Sequence, residues 1–296
     1  MKLNRRELLA VAAGFSASRQ AAAAQLGFPA TTHEHRPAIQ PDLIYTMPAH
    51  FGGRKAVPAY YYGDVLTLFV SYATDADAVA AFLPEPFEAP DPPVVTVYYQ
   101  RYRKVDFLAG RGYNVLGVNL AAAFRGRCDK VAGDYAAMLW ENNTIPILGG
   151  REFLGAPKVY AEIPDPLEEA DGWSFHCSLY GHRMVEGRLT DLKALDGGQL
   201  RKAAETTRPW MCWKLIPNAS GGADLSYPTA VTSKCNYTLG WSAAGSHRFC
   251  ETTWEAVLEH HKPLECLRTL ACKAPVAAGA LEGSMELHVH ACRKLE

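Results

Sequence analysis

The stretch Gly149-Gly150-Arg151-Glu152-Phe153-Leu154-Gly155-Ala156-Pro157-Lys158-Val159-Tyr160 holds the side chain with the clearest chemical potential, the amine of Lys158. Lys158 stands alone among Leu154, Ala156, Pro157 and Val159, directly after a proline that cannot donate to a sheet ladder. A lysine that starts an apolar strand and points inward is costly, because burial disfavours the ammonium form. A neutral amine is a nucleophile toward carbonyl carbon and can form a Schiff base. The alternative is a side chain that snorkels from the strand end and keeps its charge in water.

Several polar and aromatic residues are candidates to serve such an amine. Arg151 and Glu152 are neighbours, so on a strand at most one of them faces Lys158, and a structural ion pair is the competing role. Tyr98, Tyr99, Gln100, Arg101 and Arg103 lie together on one segment and offer a carboxylate clamp or a proton donor. Tyr113 and Tyr135 add phenols, which combine an acid/base handle with an apolar body. Trp140, Trp210 and Trp213 are wall or core residues.

Other chemistries are poorly served. His288-x-His290 puts two imidazoles on one face of an expected strand, but no third ligand is evident, so no metal is expected. There is no GxSxG elbow, and Gly149-Gly150 lacks the spacing of a nucleotide-binding loop. The eight cysteines form no CxxC and read as small buried hydrophobes, with a disulfide framework as the alternative.

The elements that must position these residues are mostly strands. The chain has 296 residues, 48% of them apolar, which is ample for a core. Its 30 basic and 31 acidic side chains leave a net charge of -1, so no nucleic-acid partner is indicated. No run is long and apolar enough for a spanning helix. Val65–Tyr72, Val94–Tyr99, Tyr113–Phe124 and Lys158–Ile163 are rich in β-branched and aromatic residues and bounded by Gly, Pro or Asp. Trp173–Tyr180, Ala230–Leu239, His247–Leu258 and Met285–Cys292 continue the pattern. Short helices are expected at Asp75–Leu83, Leu200–Thr206 and Pro263–Ala271. This reads as an α+β, mostly β domain with a closed or sandwiched sheet, over residues 47–294. Ahead of it, residues 1–25 follow the plan of an export leader, with Arg5-Arg6 before an apolar stretch, similar to a twin-arginine signal. The rivals are an organellar transit peptide and a plain disordered N-terminus on a cytoplasmic protein, and residues 26–46 read as an extended linker.

The signature GREFLGAPK resembles that of the acetoacetate decarboxylase superfamily. Tyr72-Ala73-Thr74-Asp75, Leu83-Pro84-Glu85-Pro86-Phe87-Glu88, Gly133-Asp134-Tyr135, and Arg208-Pro209-Trp210 through Lys214-Leu215-Ile216-Pro217-Asn218 agree in order and spacing. The resemblance implies a β-cone or barrel with a few short helices and a homo-oligomer. It also implies that Lys158 forms an imine with a keto acid, the imine then acting as an electron sink. The family's adjacent second lysine is replaced by Val159, and the charged residues of its pocket fall on or near Val65, Val97 and Val115. Such a pocket would suit a larger and more apolar ligand.

The expected function is therefore a lyase acting on a keto acid or related carbonyl compound, by decarboxylation or by aldol/dehydration chemistry. The catalytic residue would be Lys158, with Arg151, Glu152, Tyr98, Gln100, Tyr113, Tyr135 and Trp213 around the substrate and no cofactor. Two alternatives stand beside it. One is a cyclase or rearrangement enzyme for a larger apolar specialised metabolite, without an imine. The other is a non-catalytic ligand-binding barrel.

Overall fold

Alternation along the strands sets the architecture, since successive side chains leave a strand on opposite faces. The structure, a computed structural model, describes residues 39–48, 53–55 and 57–296. The expected leader and most of the linker lie outside the described residues. The chain divides into two units, 1–54 and 55–296. In the first, the described residues include the two-residue strand Leu43–Ile44.

The second unit is built on a large mixed sheet. Its main strands are β1 (Tyr60–Ala73), β2 (Val94–Val105), β3 (Tyr113–Arg125), β4 (Lys130–Glu141), β5 (Lys158–Tyr160) and β6 (Gly172–Leu179). They continue with β7 (His182–Ala194), β8 (Trp210–Pro217), β9 (Ala223–Val231), β10 (Ser233–Phe249) and β11 (Ala274–Leu287). The hydrogen-bonded order is Arg293–Lys294, β9, β8, β4, β3, β2, β1, β11, β10, β7, β6, Leu167–Glu169. The mostly β class expected from the sequence holds. A closed ring of hydrogen bonds does not, because the path ends on those two short strands, which do not pair with each other.

Strand β4 has a divided outer edge. Asp134 and Tyr135 pair in parallel with Trp210 and Met211 of β8, whereas Leu139, Trp140 and Glu141 pair in parallel with Lys158, Val159 and Tyr160 of β5. All other strand pairs along the path are antiparallel. β5 is shorter than the expected Lys158–Ile163, since after Tyr160 the chain makes only a single bridge, Glu162 to Ser178. The main core takes one face: Val95, Val97 and Tyr99 of β2 and the fully buried Trp140 of β4. Trp140 Nε1 donates to His260 Nδ1 at 2.9 Å. A second apolar cluster takes the other face, with Tyr98, Tyr102, Tyr113, Val115 and Leu139.

Helices form near the expected places, at Ala76–Ala80, Gly197–Glu205 and His261–Leu267. Asp196 caps the second in a reciprocal capping box with Gln199. Three expected strands are corrected: Ala230–Leu239 breaks at Thr232, its start closing β9 at Val231 and the rest opening β10 at Ser233, and two others are corrected at their ends. His247–Leu258 leaves the sheet at Phe249 and turns helical at Trp254, and Met285–Cys292 leaves it at Leu287. His288 and His290 therefore do not share a strand face, and no metal-ligating cluster occurs among the described residues. All eight cysteines are free thiols, with Cys177, Cys212 and Cys250 buried.

Candidate active site

Register brings the polar residues of the second face together. Lys158 lies opposite Leu139, so it shares a face with Leu139 and Glu141, two residues apart on β4. Glu141 lies opposite Val115, Val115 opposite Gln100, and Gln100 opposite Thr67. These side chains, with Tyr62, Tyr98, Tyr102 and Tyr113, line a cavity of about 420 Å³.

Lys158 is 8% exposed and points into this cavity. Its Nζ lies 2.8 Å from Glu141 Oε1 and donates to the Pro146 carbonyl at 3.2 Å. Glu141 is 1% exposed, and its second oxygen, Oε2, is buried without a hydrogen-bond partner. Burial pushes the Glu141 carboxyl above the ordinary carboxylate range, and the adjacent lysine only partly offsets that. The amine thus has a carboxylate partner, a different setting from the solitary lysine in an apolar frame read from the sequence.

The chain approaches Lys158 through a helix at Thr144–Gly149, capped by Asn143, and a π-helical turn at Gly150–Leu154. Gly155 ends the turn in the left-handed region at φ 79°, where an added Cβ would also lie 2.4 Å from Lys214 Cβ. The turn's carbonyls are held from β8 and β9, by Lys214 Nζ to Phe153 at 3.3 Å and Thr229 Oγ1 to Leu154 at 2.6 Å. At Gly150 a Cβ would lie 2.6 Å from Lys158 Cε and 2.8 Å from Nζ, so glycine gives the amine its room.

Of the residues singled out in the sequence, Lys158, Tyr98, Gln100, Tyr113 and Trp210 line the cavity. Arg151 does not. It lies on the π-helical turn rather than a strand, is exposed, and donates to the Lys158 backbone carbonyl at 2.8 Å. Glu152 is also on that turn and away from the cavity lining. Tyr135 packs on Phe87 at 4.9 Å between ring centroids, in the main core, and burial pushes its phenol up to about 12. Trp213 packs against the same core and donates to Ser226 Oγ at 3.0 Å. Arg101 pairs with Asp64 and Arg103 with Asp165, both on the side of β2 opposite Gln100 and Tyr102. Among the expected apolar replacements, only Val115 reaches the cavity wall, while Val97 and Val159 belong with the main core.

Three polar cavity residues, Glu141, Tyr62 and Tyr102, escaped sequence reading. Glu141 sits on β4, a strand absent from the sequence-based assignment, although Glu141 ends an apolar run from Ala136 to Trp140. Tyr62 and Tyr102 form an aromatic trio with Tyr113, with centroids 4.7 Å (Tyr62–Tyr102) and 5.0 Å (Tyr102–Tyr113) apart. Tyr62 and Tyr113 hydroxyls are 3.4 Å apart, and Tyr102 donates to Gln100 Oε1 at 2.5 Å. Burial holds these phenols, and Tyr98, well above the usual tyrosine range, so all remain uncharged donors near neutral pH. Asp134 pairs with Arg208 at 2.5 Å, joining two of the sequence segments that agreed with the family pattern.

A β-rich sheet enclosing a buried lysine–carboxylate pair in an aromatic cavity defines the class, and comparison with known proteins gives it a family. The family model described as acetoacetate decarboxylase (ADC) matches residues 46–283. An acetoacetate decarboxylase of Chromobacterium violaceum is 32% identical over 183 residues, covering 60% of this chain and 70% of that one. One from Paraburkholderia phytofirmans is 31% identical over 157 residues, 52% of this chain and 58% of its own length. Among solved structures, an acetoacetate decarboxylase of Legionella pneumophila superposes with a TM-score of 0.68 at 18% identity, covering 90% of this chain and 98% of that one. The enduracididine biosynthesis enzyme MppR complexed with pyruvate gives 0.65 at 17%, covering 87% and 99%. The chain belongs to the acetoacetate decarboxylase family.

Proposed function

We propose that the protein is a lyase-type enzyme that forms an imine between Lys158 and a small carbonyl substrate, with Glu141 carrying the protons. The observation that carries this reading is the buried pair of Lys158 Nζ and Glu141 Oε1 at 2.8 Å, opening into a 420 Å³ cavity. The step balances within the pair. The ammonium gives a proton to the carboxylate, the amine lone pair adds to the carbonyl carbon while the C=O π electrons move to oxygen, and one proton then passes from the new N–H to that oxygen to give the neutral carbinolamine. The carbinolamine then loses water, using the proton that Glu141 holds, and leaves a protonated imine beside a carboxylate. Burial that raises the Glu141 carboxyl suits it to take and return that proton. The imine draws electrons from the adjacent carbon, which permits either loss of carbon dioxide or removal of an α-proton to give an enamine.

Borohydride reduction in the presence of carbonyl compounds tests the reading. The expected result is a stable mass increment that peptide mapping places on Lys158. Reduction that modifies only surface lysines would remove the imine. Gly150→Ala gives a second test, since its Cβ would displace the amine from Glu141. Trapping at Lys158 is expected to slow by about 10- to 100-fold, as for a misplaced reacting group. The backbone at Gly150 is helical and accepts alanine, but parting a buried ion pair is expected to lower stability by up to about 3–5 kcal/mol, so trapping is compared on protein whose folded state is checked by denaturant unfolding.

The reading without an imine draws on the apolar part of the wall, Val115, Leu139, Leu281 and Met285. In that case orientation in the cavity, not covalent chemistry, would do the work.

A further inference from the structure

The charges around the cavity cancel in pairs. Of its lining side chains, the cations are Lys158 and Arg208, and the anions are Glu141 and Asp134. Lys158 is matched to Glu141 at 2.8 Å and Arg208 to Asp134 at 2.5 Å. The two arginines on β2 that would make a carboxylate clamp are turned away and paired, Arg101 with Asp64 and Arg103 with Asp165. The other polar groups on the wall are neutral: phenols, the Gln100 and Asn119 amides, and hydroxyls.

We infer that this site selects an uncharged carbonyl compound, an aldehyde, ketone or ester, over a keto acid bearing a free carboxylate. The inference rests on the imine reading for the position of the reacting carbon. In an α- or β-keto acid the carboxylate lies one or two bonds from the carbon that joins Nζ. It would enter the zone already held by Glu141, whose Oε1 is 2.8 Å from the same nitrogen. Two carboxylates sharing one cation repel, and at this depth solvent does little to screen them. An anionic substrate would also shed its hydration shell without gaining a dedicated cation in return. A neutral carbonyl needs only a hydrogen-bond donor, and the aromatic wall offers the Tyr98 phenol and whichever of the Tyr62 and Tyr113 hydroxyls does not donate to the other, Tyr102 being engaged with Gln100. A neutral substrate retains the α-protons needed for enamine formation but has no carboxylate to lose. The favoured use of the imine is thus aldol-type bond making or breaking. The elements balance without an added oxidant: water leaves on imine formation, the α-proton passes to Glu141, the enamine carbon bonds to a second carbonyl carbon while the proton held by Glu141 goes to that carbonyl's oxygen, and water then hydrolyses the iminium to release the hydroxy-carbonyl product and restore Lys158.

Methyl pyruvate and pyruvate form a matched pair for the test. Each is trapped with borohydride on the full-length protein, and the yield on Lys158 is divided by that on free Nα-acetyllysine to remove intrinsic reactivity. The expected ester-to-acid preference on Lys158 exceeds that on the free amine by about tenfold or more, the size of one unfavourable charge contact. An equal or reversed preference overturns the inference. Calorimetric titration of the untreated protein with both compounds separates this claim from the imine itself. Absence of any adduct together with tighter ester binding removes the imine and upholds charge selection, while tighter pyruvate binding overturns charge selection whether or not adducts form. Asp134→Asn supplies the converse. It leaves Arg208 unpaired at the cavity and is expected to narrow the ester preference at least about threefold. An unchanged preference in this variant also counts against the inference.

Discussion

Glu141→Leu, introduced alone, is expected to lower folding stability by about 3–5 kcal/mol, because it strands a buried ammonium without its partner. The double variant Glu141→Leu/Lys158→Met is expected to return to wild-type stability or exceed it by about 1–4 kcal/mol, since apolar groups of similar volume escape the desolvation cost of both ions. Denaturant unfolding of the two single variants and the double variant measures the coupling directly. Near-additive losses would show that the two side chains act independently in the folded chain. pH adds a sign. Burial raises the Glu141 carboxyl above its unfolded value, so the folded chain keeps a proton that the unfolded chain releases. The resulting stability is fully present below the unfolded carboxylate pKa of about 4.3 and is lost as pH rises through the raised folded value. Relative to the double variant, the wild type is therefore expected to weaken as pH climbs from about 4 toward neutrality. A pair that strengthened over that interval would mean that attraction, not desolvation, dominates at Glu141.

The same pair marks the boundary of what composition and pattern can reveal. Lys158 was legible because a charged residue interrupts an apolar run directly after proline. Tyr98, Gln100 and Tyr113 were legible as polar and aromatic positions on well-marked strands. Glu141 was not, because its role depends on β5 pairing in parallel with the far end of β4, a contact between residues 17 positions apart that local periodicity does not encode. Arg151 and Glu152 misled for a related reason. Their neighbours look like strand, yet Gly150 and Gly155 bracket a π-helical turn whose carbonyls are fixed by Lys214 and Thr229 from distant strands. Tyr135 and Trp213 carry suitable groups on the wrong face, and only the register of β4 and β8 reveals which face that is. Strand content was thus readable from side-chain type. Whether the sheet closes, and which residues meet across it, depended on long-range pairing.

Proton exchange at the methyl carbons of acetone in deuterated water is expected to be catalysed by the wild type and to fall by on the order of 10³-fold or more in both Lys158→Met and Lys158→Arg. The exchange reports enamine formation without requiring the natural substrate, because an imine acidifies the adjacent C–H bonds and the released proton is replaced from solvent. Methionine removes both charge and nucleophile. Arginine keeps a cation opposite Glu141, so the electrostatics of the pair survive, but a guanidinium does not give up its proton and cannot attack a carbonyl. If Lys158 acts only as a fixed charge or as a wall of an apolar cavity, Lys158→Arg should retain exchange within about threefold of wild type. If the amine is the nucleophile, arginine fails as completely as methionine even where the ion pair is intact. Glu141→Gln completes the argument. It keeps the volume but removes the proton acceptor, so exchange is expected to fall by about 10²–10⁴-fold while borohydride still traps a residual adduct on Lys158. Loss of trapping and exchange to the same extent would instead assign Glu141 to holding the amine in place, with proton transfer left to another group on the cavity wall.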